Sequence, residues 1–138
     1  MAEPAGTAGF PGPFPLLYRD ETFVAVHKPP GLLVHRSWLS EDRIFLLQLL
    51  RDQVGRRVFP VHRLDRATSG VILFGFSPES ARALQQQLER EDTVKRYHAV
   101  VRGWIDEPGE IDHPGRDRDE EGGPKAALTR SRPLASVE

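Results

Sequence analysis

VFPVHRLDRATSGVILFGF, residues 58–76, holds two apolar runs separated by a polar insert. Val58–His62 and Val71–Phe76 are short and rich in β-branched and aromatic residues, so each reads as a strand. The insert Arg63–Gly70 crowds charges and hydroxyls together and reads as the loop between them. Directly after the second strand, Ser77 stands where a helix N-cap belongs, with Pro78 at the first helical position and Glu79 in the first turn. The predicted helix, Pro78–Arg90, brings Ala81, Leu84 and Leu88 onto one face.

Towards the N-terminus, Leu16–Tyr18 and Phe23–Lys28 read as strands around a polar Arg19–Thr22 turn. Pro29-Pro30-Gly31 breaks the chain and Leu32–Val34 resumes it. Asp42–Val54 reads as a helix: Ile44, Leu47 and Val54 share a face, Leu46 and Leu50 widen it, and Gly55 marks the stop. Residues 1–15, rich in Gly, Pro and Ala, read as a flexible leader without the basic start and apolar core of a secretory signal. Towards the C-terminus, Val94–Trp104 alternates like a strand, and Glu107–Pro124 reads as an acidic loop rich in Gly and Pro. Ala126–Thr129 and Leu134–Glu138 look like the beginnings of two more strands. This order predicts an α+β fold, a mainly antiparallel mixed sheet with flanking helices. Because Leu134–Glu138 stops inside a strand-like run, residues 16–138 are expected to be part of a domain cut short.

A chain of 138 residues has room for one domain. Its net charge of -1 excludes a uniformly basic nucleic-acid binder, so any RNA contact needs a local patch. Arg51, Arg56, Arg57, Arg63 and Arg66 against Asp52 and Asp65 form one candidate, although a solvated helix end explains part of it equally well. The acidic run Asp117–Glu121 is expected to face away from RNA. The absence of cysteine excludes a disulfide framework and thiolate zinc sites. Histidines 27, 35, 62, 98 and 113 lack metal-ligand spacing. No apolar run approaches the roughly 18 residues of a membrane span, and a cytoplasmic protein is expected.

The insert places one carboxylate, Asp65, among His62, Arg63, Arg66 and the hydroxyls of Thr68 and Ser69. Loops held by rigid strands commonly carry catalytic groups. The neighbouring arginines favour the ionised carboxylate, which can serve as nucleophile or base. Taken alone, the residues fit an ion-paired Asp that fixes a turn better than a catalytic one. Leu64 separates the segment from a kinase His-Arg-Asp triplet, and no glycine-rich phosphate loop accompanies it. An aspartyl-phosphate motif would need a second Asp two residues on. A glycoside hydrolase would need a second carboxylate about 5–9.5 Å away, and nothing in the sequence brings Glu89 or Glu91 to Asp65.

HRLDRATSG (His62–Gly70) closely resembles the signature of the RluA-like RNA pseudouridine synthases. VAVHKPPGLLVH (Val24–His35), SPESARALQQQLER (Ser77–Arg90) and KRYHAVVRGW (Lys95–Trp104) agree with that family in order and spacing. GLLVHRSWL (Gly31–Leu39) and GGPKAALT (Gly122–Thr129) resemble the branch that modifies uridine 65 at the base of the tRNA acceptor stem. The likeness runs from about Leu16 to the end, and family members continue beyond this length.

The resemblance implies isomerisation of uridine to pseudouridine in structured RNA, tRNA first. The N1–C1′ bond is exchanged for a C5–C1′ bond without redox or phosphoryl transfer, so no cofactor and no metal are expected. Asp65 is implied to act at the sugar, at C1′ or C2′. Tyr97 is implied to stack on the uracil and assist removal of the C5 proton. The uridine must leave its stack at a cost of roughly a few kcal/mol. Arg63 would then fill the vacated position or brace Asp65, Arg66 would meet a flanking phosphate, and His62, Thr68 and His35 would complete the RNA-binding set. A monomer without membrane attachment is expected. The alternatives are an RNA-binding fragment without activity and a synthase acting on ribosomal RNA.

Overall fold

The computed structural model describes residues 12–38, 40–113 and 127–137. The chain divides at Lys95–Arg96 into two compact units. The first contains β1 (Leu16–Arg19), β2 (Phe23–Lys28), α1 (Leu46–Val54), β3 (Phe59–Pro60), β4 (Gly70–Gly75) and α2 (Pro78–Leu88). Its strands form one antiparallel sheet in the order β1-β2-β4-β3. The mixed α+β architecture expected from the sequence is present.

Alternation along the central strands decides which side becomes the core. Val24, Val26, Ile72 and Phe74 project to one face, where Leu32, Val34, Leu46, Leu50, Val58 and Leu64 cover them. Full burial of each such side chain stabilises the unit by roughly 1.5–3 kcal/mol before entropy is counted. The α2 helix packs closely on β4: a Cβ at Gly75 would meet the Ala81 backbone nitrogen at 2.6 Å. Ser77 caps α2 as predicted, its hydroxyl accepting the Ser80 amide at 3.1 Å while the Ser80 hydroxyl accepts the Ser77 amide. The helix ends at Leu88, two residues before the expected Arg90.

The first helix departs further from expectation. It begins at Leu46 instead of Asp42, because Phe45 is extended and bridges to Leu33. The Leu46 and Leu47 amides donate to the Leu33 and Val34 carbonyls at 2.8 and 2.9 Å. A neighbouring backbone segment therefore satisfies the orphan amides of the helix start in place of a side-chain cap. Gly55 ends the helix at φ 72, the left-handed conformation that glycine adopts without strain. The strand expected at Val58–His62 shortens to β3, and beyond it the Leu73 amide donates to the His62 side chain. Phe14, assigned to the leader, is buried, and its amide and carbonyl both bond the Gln53 side chain at 2.8 and 2.9 Å. Residues 1–11 of that leader lie outside the described residues.

In the second unit β5 (Gly109–Asp112) pairs antiparallel with β6 (Leu128–Ser131). β5 falls within the predicted Glu107–Pro124 loop, and β6 continues past the expected Thr129; residues 114–126, including Asp117–Glu121 and most of Gly122–Thr129, lie outside the described residues. Val94–Trp104 forms no strand among the described residues, and neither do residues 134–137. Alternation makes a segment able to pair, but a strand needs a hydrogen-bonded neighbour. Val94, Tyr97, Val100, Val101 and Trp104 are accordingly exposed, and Gly103 turns the chain at φ 90. Among the described residues no helix is long and apolar enough to cross a membrane.

Candidate active site

Asp65 sits exposed in the loop that leads to Gly70, where β4 begins opposite Lys28 of β2. The loop is tied down through its backbone on both sides of the carboxylate. Leu64 is buried in the core. The Asp65 carbonyl accepts the Thr68 amide at 3.0 Å, closing a tight turn. The next carbonyl, Arg66, accepts the Gly31 amide at 2.6 Å and the Lys28 Nζ at 3.1 Å. The Arg66 guanidinium donates to the Ser40 hydroxyl at 2.6 Å and pairs with Asp42 at 2.5 Å. Asp65 itself is thus left free to present its side chain from a held frame, an arrangement suited to a nucleophile or base.

Lys28 is the residue that sequence reading missed. It is fully buried, and its ammonium donates to the carbonyls of Pro29 at 2.9 Å, Leu32 at 2.6 Å and Arg66 at 3.1 Å. One side chain therefore joins the Pro-Pro-Gly turn to the Asp65 loop. Burial pushes the Lys28 ammonium below its ordinary pKa, and the nearby Asp65 charge opposes that shift. A signal was present: Lys28 shares the parity of Val24 and Val26, which places it on the buried face of β2.

The other predicted residues separate. His62 is half-buried, and its Nε2 accepts the Leu73 amide at 3.2 Å. Burial lowers its pKa, hydrogen bonding to the Arg63 backbone opposes this, and the Lys95 charge adds to the lowering. Arg63 is half-buried and directly precedes the Leu64 anchor. Thr68, also half-buried, contributes its amide to the Asp65 turn. His35 Nδ1 lies 3.0 Å from the Arg36 carbonyl. Tyr97 belongs to the second unit and is exposed, whereas the frame around Asp65 is built from first-unit residues.

The arginine run of the sequence does not form one surface. Arg51 pairs with its neighbour Asp52, and Arg66 pairs with Asp42. Arg56 and Arg19 both lie over the Phe76 ring, at 4.1 and 5.4 Å, and Arg57 lies over Phe59 at 5.0 Å. These aromatic partners mark the Gly75 end of β4, five residues and roughly 17 Å from the Gly70 end that carries Asp65.

Residues 22–137 match the family model described as RNA pseudouridylate synthase. The tRNA pseudouridine synthase C of Salmonella typhi is 48% identical over 133 residues, covering 89% of this chain and 51% of that protein. The protein of the same name from Haemophilus ducreyi is 53% identical over 100 residues, 72% of this chain and 41% of its own length. The human RNA pseudouridylate synthase domain containing 4 shares the fold with a TM-score of 0.57 at 21% identity, over 88% of this chain and 54% of the human one. This chain spans about half the length of these relatives. With the family model matched across most of its residues, the chain belongs to the RNA pseudouridylate synthase family.

Proposed function

We propose that this chain carries the catalytic loop of a synthase that isomerises uridine to pseudouridine in tRNA. Uridine 65 at the base of the acceptor stem is the proposed target, and Asp65 the carboxylate that acts at the ribose. The observation that carries this reading is an exposed Asp65 on a loop locked through the backbone of its neighbours. The name tRNA pseudouridine synthase C, borne by relatives 48% and 53% identical to this chain over the matched residues, supports tRNA as substrate.

In the proposed reaction the N1–C1′ bond breaks while the Asp65 carboxylate acts at C1′ or at the C2′ proton. The freed uracil turns, C5 joins C1′, and the C5 proton is lost as N1 regains one. Holding the loop before substrate arrives keeps the carboxylate from having to be ordered during the reaction. Tyr97 is proposed to stack on the uracil and assist the final proton removal. Arg63 is proposed to fill the place that the flipped base leaves. Arg66 is assigned to bracing the loop instead of a flanking phosphate, since Asp42 and Ser40 engage its guanidinium. The same frame would bind RNA without turning it over if the rest of the site were absent.

Tritium release from unmodified tRNA labelled at uridine C5 tests this. Release by the wild-type chain with none by Asp65→Asn is the expected result. Equal release by both would remove Asp65 from the chemistry. Retained tRNA binding with no release by either would favour the RNA-binding fragment.

A further inference from the structure

We propose that His62 is a positioning residue whose neutral imidazole replaces a strand carbonyl and so sets where the chain leaves the sheet for Asp65. This rests on the synthase reading above and adds to it a residue that acts through the loop instead of on RNA.

The register carries the argument. β3 pairs with β4 as Phe59 opposite Gly75 and Pro60 opposite Phe74, which brings Val61 opposite Leu73. In a regular antiparallel ladder, such a hydrogen-bonded pair exchanges both of its bonds. Only one of them is backbone to backbone here: the Val61 amide donates to the Leu73 carbonyl at 3.3 Å. The Leu73 amide donates instead to His62 Nε2 at 3.2 Å. The imidazole stands where the Val61 carbonyl would accept, so the ladder stops without leaving a part-buried amide unmet. The chain is released two residues before Leu64 enters the core and three before Asp65.

An acceptor at Nε2 requires the ring to be unprotonated there, with any proton on Nδ1. Burial and the Lys95 charge favour that state, and the hydrogen bond to the Arg63 backbone opposes it. Protonation would set an imidazolium N–H against the Leu73 N–H, two donors with no acceptor between them. The loop then loses the tie nearest its start, while the ties at Thr68, Gly31 and Lys28 remain.

Two measurements on the full 138-residue chain test this. In the uniformly 15N-labelled protein, a trans-hydrogen-bond coupling between the Leu73 nitrogen and His62 Nε2 is expected near neutral pH and should vanish on acidification. Its absence at neutral pH, or a protonated Nε2 there, overturns the proposal whether or not the chain turns over RNA. In the tritium assay, His62→Gln retains an acceptor without a titrating ring, whereas His62→Phe retains only bulk. The expected result is near wild-type turnover for His62→Gln, with an acid limb displaced to lower pH. For His62→Phe a loss of about 10–100-fold in kcat is expected with little change in KM. Equal losses in both variants, or a wild-type rate in His62→Phe, would show that the acceptor does not position the loop. If the wild-type chain itself releases no tritium, the synthase reading fails alone and the coupling measurement still decides the role of His62.

Discussion

Lys28 illustrates how much one buried side chain can organise. All three of its ammonium hydrogens have carbonyl partners, drawn from Pro29, Leu32 and Arg66. Replacing it with Met keeps the length of the side chain but leaves carbonyl oxygens in the interior without that donor. Lys28→Met is expected to cost about 3 kcal/mol, read from urea unfolding, and to reduce tritium release with it. A loss of stability below about 0.5 kcal/mol would mean that water or a shifted backbone takes over the three acceptors. Asp65 is the opposite case: it is exposed, the core does not depend on it, and Asp65→Asn is expected to unfold at the same urea concentration as wild type within roughly 0.5 kcal/mol. Both residues stand in the sequence in plain view. Asp65 stood out as a candidate because a signature surrounds it, while the burial of Lys28 was legible only through strand parity, which competes with the general expectation that lysine is exposed.

At the scale of elements, the β1–β2 turn is held by Asp20, whose Oδ1 accepts the Thr22 amide at 2.7 Å and the Phe23 amide at 2.9 Å. These bonds, the one from Phe23 foremost, hold its carboxyl at about 2, below the usual 3.8. Because the folded pKa is depressed, the contribution is complete above the unfolded value and is lost as pH falls through the folded one. Asp20→Ala is therefore expected to lower Tm at neutral pH, with the difference from wild type closing between about 3.8 and about 2. A difference that persists unchanged at the lowest pH would assign the effect to something other than the carboxylate. The contact between α2 and β4 gives a second prediction. Gly75→Ala forces a Cβ to within 2.6 Å of the Ala81 backbone nitrogen and is expected to destabilise by about 1–3 kcal/mol in urea unfolding. Both helix ends that the sequence marked with Ser77 and Gly55 appear where expected. The start of α1 was not legible, because its amides are met by residues 33 and 34 and Asp42 is engaged by Arg66.

For the molecule as a whole, the two units differ in how well they are covered. The first has a four-stranded sheet with a buried core, whereas β5 and β6 form a two-stranded ladder with Ile111 and Leu128 exposed. An isolated pair of strands is marginal in water. Amide exchange of β5 and β6 is therefore expected to be at least about 100-fold faster than that of β2 and β4, a difference that near-equal protection would refute. The strands β1, β2 and β4, the second helix and the place of the polar insert before β4 were determined by sequence, because alternation and capping residues are local properties that neighbours need not supply. Tertiary structure decided what depends on a partner. It chose whether Val94–Trp104 pairs, it divided the arginine run between two ends of the sheet, and it turned His62, Lys28 and Arg66 into the supports of the loop. Those outcomes rest on hydrogen bonds between residues up to 38 apart in the chain, and no local pattern records which distant group will meet them.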